Sequence, residues 1–150
     1  MSLEIGPLSV VCMQELGRAL LEEHYEELTL NKELVKLNVD WQSYRMMEQC
    51  GRLFALGAWE DNTLIGYSVF FLSNHMHYQD IKMALNDVLF IAKEKRKGST
   101  GLRLIKESER LLKERGVKKV LWHCKYGTVA GKLLLKLGYT NEEYAVGKLL

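Results

Sequence analysis

A chain of 150 residues with 47% apolar residues, 27% charged residues and one proline is not a disordered polypeptide, and it can bury a core without staples. A net charge of +2 lacks the strongly basic balance of a nucleic-acid binder, and no apolar run is long enough to span a membrane. Cys12, Cys50 and Cys124 come in an odd number without CxxC spacing, which points to reduced thiols and a cytoplasmic protein.

Residues 3–5 read as a short extended piece ended by Gly6-Pro7. Ser9 then opens a helix to about residue 24, with Val11, Met13, Leu16, Ala19 and Leu20 on its inner side. A polar stretch, 25–32, leads to a weaker segment through Val35, Leu37, Val39, Trp41 and Tyr44. Residues 53–59 and 64–72 read as hairpin strands about the turn 60–63. Residues 73–79 are polar and rich in histidine and aromatic side chains, as expected of a mobile loop. The apolar run 83–91 reads as a buried strand, 100–115 as a helix and 117–124 as a strand. A second helix, 128–137, carries Val129, Leu133, Leu134 and Leu137 inward, and 139–150 reads as a closing strand. Neither repeats nor linkers divide the chain, so one domain, 1–150, is expected.

Strand, helix and strand over 83–124 make a βαβ unit, whose strands should be parallel. With the antiparallel hairpin before it, the expected architecture is an α/β mixed sheet with helices on both faces. Lys95-Arg96-Lys97-Gly98-Ser99-Thr100-Gly101 lies between the first strand and the helix. Two glycines, two hydroxyls and three cations at a helix N-terminus suit a phosphate, because the first amides there have no helical partner and the helix dipole adds positive charge. Arg96 and Lys97 could equally be solvated charges. The glycine spacing fits neither Walker A nor the dinucleotide fingerprint.

Arg96-Lys97-Gly98-Ser99-Thr100-Gly101 resembles the R/Q-x-x-G-x-G/A pyrophosphate loop of the GNAT superfamily of acyl-CoA N-acyltransferases. The order of elements resembles that family over nearly the whole chain, and residues 132–139 are similar to its closing F-Y-x-K-x-G-F segment. Three positions depart from the pattern. Ser99 stands where the first loop glycine usually stands, Leu134 replaces a tyrosine used as general acid, and Gly127 replaces an asparagine.

The resemblance implies acetyl-CoA as acyl-donor cosubstrate and an amine as acceptor. Its pyrophosphate would lie on the amides of Arg96, Lys97, Gly98, Ser99, Thr100, Gly101 and Leu102. The pantetheine would run along Leu89, Phe90 and Ile91, where that strand splays from 117–124. A base must then take the amine's proton. Asp87 is the first choice, with Asn86 able to orient a water; a strand-edge ion pair is its bland alternative. Tyr126 and His123 would protonate the leaving thiolate. Tyr25, Glu26, Glu27, Trp41 and His75 would face the acceptor, with the carboxylates drawing a cationic amine. Cys124 could accept an acyl group, though a lone cysteine ending a strand is more often a small buried hydrophobe. His75 and His77 invite a zinc reading but lack further ligands, so no metal is expected. The alternative function is a non-catalytic acyl-CoA-binding module; a nucleic-acid partner using residues 93–97 is the weakest reading. The final strand is also an edge through which a homodimer could form.

Overall fold

A computed structural model of the chain describes residues 2–150. Five strands lie side by side in chain order: β1 (Leu3–Pro7), β2 (Leu53–Glu60), β3 (Thr63–His75), β4 (Tyr78–Ile91) and β5 (Lys119–Leu121). The pairs from β1 to β4 are antiparallel, and β4 and β5 are parallel. Around this mixed sheet are α1 (Val10–Leu16), α2 (Arg18–Leu28), α3 (Trp41–Gln49), α4 (Thr100–Glu114) and α5 (Val129–Lys136).

Local chemistry sets the turns. Asp61 and Asn62 adopt φ of 48° and 63°, the left-handed pair that a two-residue hairpin loop requires, and they join β2 to β3. Ser9 caps α1 by accepting from the Cys12 N–H at 3.1 Å, and Asp40 caps α3 by accepting from Ser43 at 3.0 Å. The predicted loop over 73–79 is instead a hairpin tip, with His75 paired to Tyr78.

Alternation along the strands divides the core. Leu53, Ala55, Tyr67 and Val69 face α1–α3, while Phe54, Leu56, Phe70 and Leu72 face α4. On α4, Leu104, Ile105, Ser108 and Leu112 form the buried stripe. Ser108 donates to the Leu104 carbonyl at 2.7 Å, so the Ser68 hydroxyl, 2.8 Å away, donates to Ser108. Both serines are thereby satisfied in the core.

The first predicted helix is broken at Gly17, and its inner face is displaced by about one residue. Val10, Met13 and Leu20 are buried, whereas Val11 and Leu16 are exposed. A Cβ on Gly17 would stand 2.5 Å from the Met13 carbonyl oxygen, so the chain bends there without a side chain. Val129 is likewise exposed, and Leu134 is the buried residue of α5.

The end of the sheet departs most from expectation. β5 pairs with β4 over three positions, Met83 with Lys119, Ala84 with Val120 and Leu85 with Leu121. Just past them Trp122 packs edge-on against Phe70 at 5.0 Å, and the chain leaves the sheet. Residues 137–150 form no strand. Tyr139 is held by donating to Glu109 at 2.5 Å, and Glu142 by Lys119 at 2.8 Å. The predicted closing strand is therefore absent, and the outer strands of the sheet are β1 and β5.

Candidate active site

β4 pairs with β3 along its length but with β5 only as far as Leu85. From Asn86 to Ile91 its other edge has no strand beside it. The gap opens at an irregularity: Val69 pairs with Val88 and Phe70 with Asn86, leaving Asp87 as the extra residue of a β-bulge. Alternation flips across it. Ala84 packs on the α4 side, Val88 and Phe90 pack on the α1–α3 side, and Leu89 and Ile91 return to α4. Asn86, with no exposed surface, stitches the bulge by donating to the carbonyls of Val69 at 3.2 Å and Val88 at 2.9 Å. Its amide nitrogen is thus spent on holding the backbone, and its Oδ1 has no partner among the described residues.

The bulge presents Asp87 half-buried on the α3 side, where the Tyr44 hydroxyl donates to its carboxylate. Burial pushes the Asp87 carboxyl above its ordinary value; the Tyr44 hydrogen bond and the nearby His123 charge partly oppose this. Burial also pushes the Tyr44 phenol up, and Asp87 adds to that, so Tyr44 remains a proton-bearing donor.

At the far end of β4, a 3-10 turn (Lys93–Lys95) leads into the loop before α4. Among the described residues, the amides of Lys97, Gly98, Ser99, Thr100, Gly101 and Leu102 have no hydrogen-bond partner. Gly98 has φ of +91° and open space about its α-carbon, a conformation that glycine adopts without strain. A Cβ on Gly101 would stand 3.5 Å from Ile91 and 3.6 Å from Leu133, which places the start of α4 between the end of β4 and α5. Partnerless amides at the N-terminus of a 15-residue helix form a cradle suited to an anion.

The loop cations behave differently from expectation. Lys95 pairs with Glu60, and Arg96 makes a two-pronged pair with Glu27, one prong at 2.8 Å. Arg96 also donates to the Ile91 carbonyl at 2.9 Å, and its guanidinium lies over the Phe90 ring at 5.1 Å. Arg96 thus braces the loop against α2 through Glu27, a residue expected on the acceptor side. Lys97 is exposed and has no ion pair among the described residues.

On the other face of the sheet, β4 floors an apolar cavity of about 180 Å³ lined by residues including Leu21, His24, Tyr25, Val39, Trp41, Tyr44 and Val88. Tyr25 and Trp41, two of the residues expected on the acceptor side, are both in this lining. Tyr25 donates to the Val35 carbonyl at 2.8 Å, holding the 29–40 segment over the cavity. His24 was missed from sequence. It shares a 2.6 Å hydrogen bond with Tyr67 and stacks on Phe90 at 4.6 Å. Burial pushes its pKa down to about 4, so the ring is neutral at physiological pH. The signal was present, since 10, 13, 20 and 24 share a helical face, but the stripe was set one residue off.

The remaining candidates separate. His123 lies close enough to Asp87 to influence its charge. Tyr126 is 100% exposed in the turn before α5 and has no partner among the described residues, so nothing orients it toward Asp87. His75 clusters with His77 and Tyr78 at the hairpin tip, about 30 Å from Asp87 along β4 at the usual strand rise. It does not face the cavity. Among the described residues no three metal-ligating side chains gather. Cys124 is half-buried, and burial pushes its thiol up.

A mixed sheet split at a bulge, with an anion cradle beside the split, defines the class. The model of the acetyltransferase (GNAT) family matches residues 14–139, and the chain belongs to that family. A ribosomal-protein-alanine N-acetyltransferase from Brucella melitensis biovar Abortus 2308 superposes with TM-score 0.75 at 16% identity, over 100% of this chain and 99% of that one. An aminoglycoside acetyltransferase from an uncultured soil metagenomic sample gives 0.77 at 18%, again over 100% and 99%. A predicted acetyltransferase from Clostridium acetobutylicum, solved with acetyl-CoA, gives 0.71 at 11%, over 99% and 96%. No curated protein sequence matches this chain.

Proposed function

We propose that the protein moves an acetyl group from acetyl-CoA to a primary amine by direct attack while both are bound. The observation that carries this reading is the run of six partnerless amides, Lys97 to Leu102, at the end of the unpaired edge of β4. The residues fit the donor: the cradle takes a diphosphate, and the open edge between Asp87 and Ile91 offers main-chain groups to an extended arm bearing amides. A β4 amide at that edge would polarise the thioester carbonyl. The amine nitrogen bonds to the carbonyl carbon, its proton passes to Asp87, and the carbon–sulfur bond breaks. The thiolate takes a proton from His123, which replaces Tyr126 as the acid because it stands near Asp87. Tyr44 holds the Asp87 carboxylate in place. Much of the rate comes from holding the two reactants together. Three unpaired thiols suit a reducing cytoplasm, and among the described residues no helix is long and apolar enough to cross a membrane.

Thermal-shift measurement with acetyl-CoA, followed by thiol release on an amine panel, tests this. The chain should be stabilised, and Gly98→Val should weaken binding at least tenfold, because valine resists φ of +91° at an open surface position. Undiminished binding by Gly98→Val removes the cradle from the reading. Stabilisation without turnover on any amine leaves a binding module.

A further inference from the structure

Resting on that reading, we infer that the acceptor is a small primary amine carried on an aryl or branched-alkyl group, with no second charge. The cavity beneath α1–α3 holds about 180 Å³, less than the 300–1,000 Å³ typical of drug-sized ligands. It is roughly the size of a protein cavity that admits one benzene ring. Its walls are Leu21, Leu37, Val39, Trp41 and Val88, with no carboxylate among them.

Of the four acidic side chains of α2, Glu26 is exposed and does not line the cavity, and the other three are committed elsewhere. Glu27 pairs with Arg96, Glu22 pairs with Arg18 at 3.0 Å, and Glu23 accepts from the Lys93 amide at 2.8 Å. Three of the polar groups inside are also engaged, Tyr25 with Val35, His24 with Tyr67 and Tyr44 with Asp87, and the Thr29 hydroxyl is uncharged. The charged group that adjoins this lining is Asp87, next to Val88 in sequence and bonded to Tyr44. An amine therefore enters with its nitrogen toward Asp87 and its apolar body against Leu37, Val39 and Trp41. A second ammonium would be buried there without a partner, which is costly.

The test uses the full chain, acetyl-CoA and thiol release with benzylamine, isobutylamine, spermidine, an aminoglycoside and a lysine peptide. Benzylamine and isobutylamine should exceed the polycations and the peptide at least tenfold in kcat/KM. Val39→Trp, on the cavity's outer wall, should raise KM for benzylamine at least tenfold while acetyl-CoA stabilises the variant as it does the parent. Val39→Ala should instead admit larger aryl amines. Preference for spermidine, the aminoglycoside or the peptide overturns the acceptor class and leaves acetyl transfer standing. So does a benzylamine KM that Val39→Trp does not move. Acetyl-CoA binding with no amine consumed overturns the transfer reading itself, and this inference with it.

Discussion

Asp87 is an acid inside an otherwise apolar strand, and its surroundings fix how it should titrate. Burial favours its neutral form and lifts its pKa above the ordinary 3.8. A protonated carboxyl cannot accept a proton, so kcat should rise as pH increases through that elevated pKa and then level off. Asp87→Asn should remove this acid limb and lower kcat by about 100-fold or more, the usual scale for a general base. The sign for stability is opposite. The folded state holds this proton more tightly than the unfolded chain, so stability is lost as pH rises from 3.8 through the folded value. Asparagine escapes that loss and still accepts from Tyr44, so the variant should melt no lower than the parent at neutral pH. Wild-type turnover with the acid limb intact would clear Asp87 of a base role. Arg96 carries a different lesson. Substituting it disturbs a brace spanning 69 residues of chain, so loss of acetyl-CoA binding in such a variant would not by itself report a phosphate contact.

Among the elements, β4 does the most to place the site, and its bulge is the feature that brings Asp87 to the α3 side. Asn86 fixes that bulge with two buried hydrogen bonds, and its Oδ1 has no partner among the described residues. Asn86→Ala should remove both buried hydrogen bonds, at about 0.5–1.5 kcal/mol each. It should also lower kcat while largely preserving acetyl-CoA affinity, since the cradle lies beyond Ile91. A turnover unchanged by this substitution would show that the bulge does not position the chemistry. Strands with turn signals and α4 with its apolar stripe were legible in the sequence because their cues are local: alternation, helical spacing, and a glycine-flanked turn. The cradle was legible for the same reason. The bulge was not, because a continuous apolar run hides a change of face. Arg96 and Glu27, or His24 and Tyr67, meet across 69 and 43 residues, and composition near either partner gives no hint of the other. The closing strand failed because alternation in 139–150 implies a strand only where a sheet edge can receive it, and β5 is three residues long.

For the molecule as a whole, the proposed function has two ligands approach the same bulge from opposite faces of the split sheet. The amide cradle lies at the start of α4, with Leu133 of α5 close by. The apolar cavity lies against α1–α3, and β4 separates the two, with Asp87 at the junction. This arrangement favours direct transfer between two bound molecules over a relay through the protein. The nucleophile available for a relay, Cys124, is a poor one, because burial keeps its thiol protonated. Initial rates measured while varying acetyl-CoA and amine should therefore give intersecting double-reciprocal lines, and Cys124→Ser should leave kcat unchanged. Parallel lines, or a burst of thiol release without amine, would mean that an acyl-enzyme forms. If Cys124→Ser abolished that burst, the acetyl group would be passing through the sulfur, and Asp87 would have to act on a second step instead of the first.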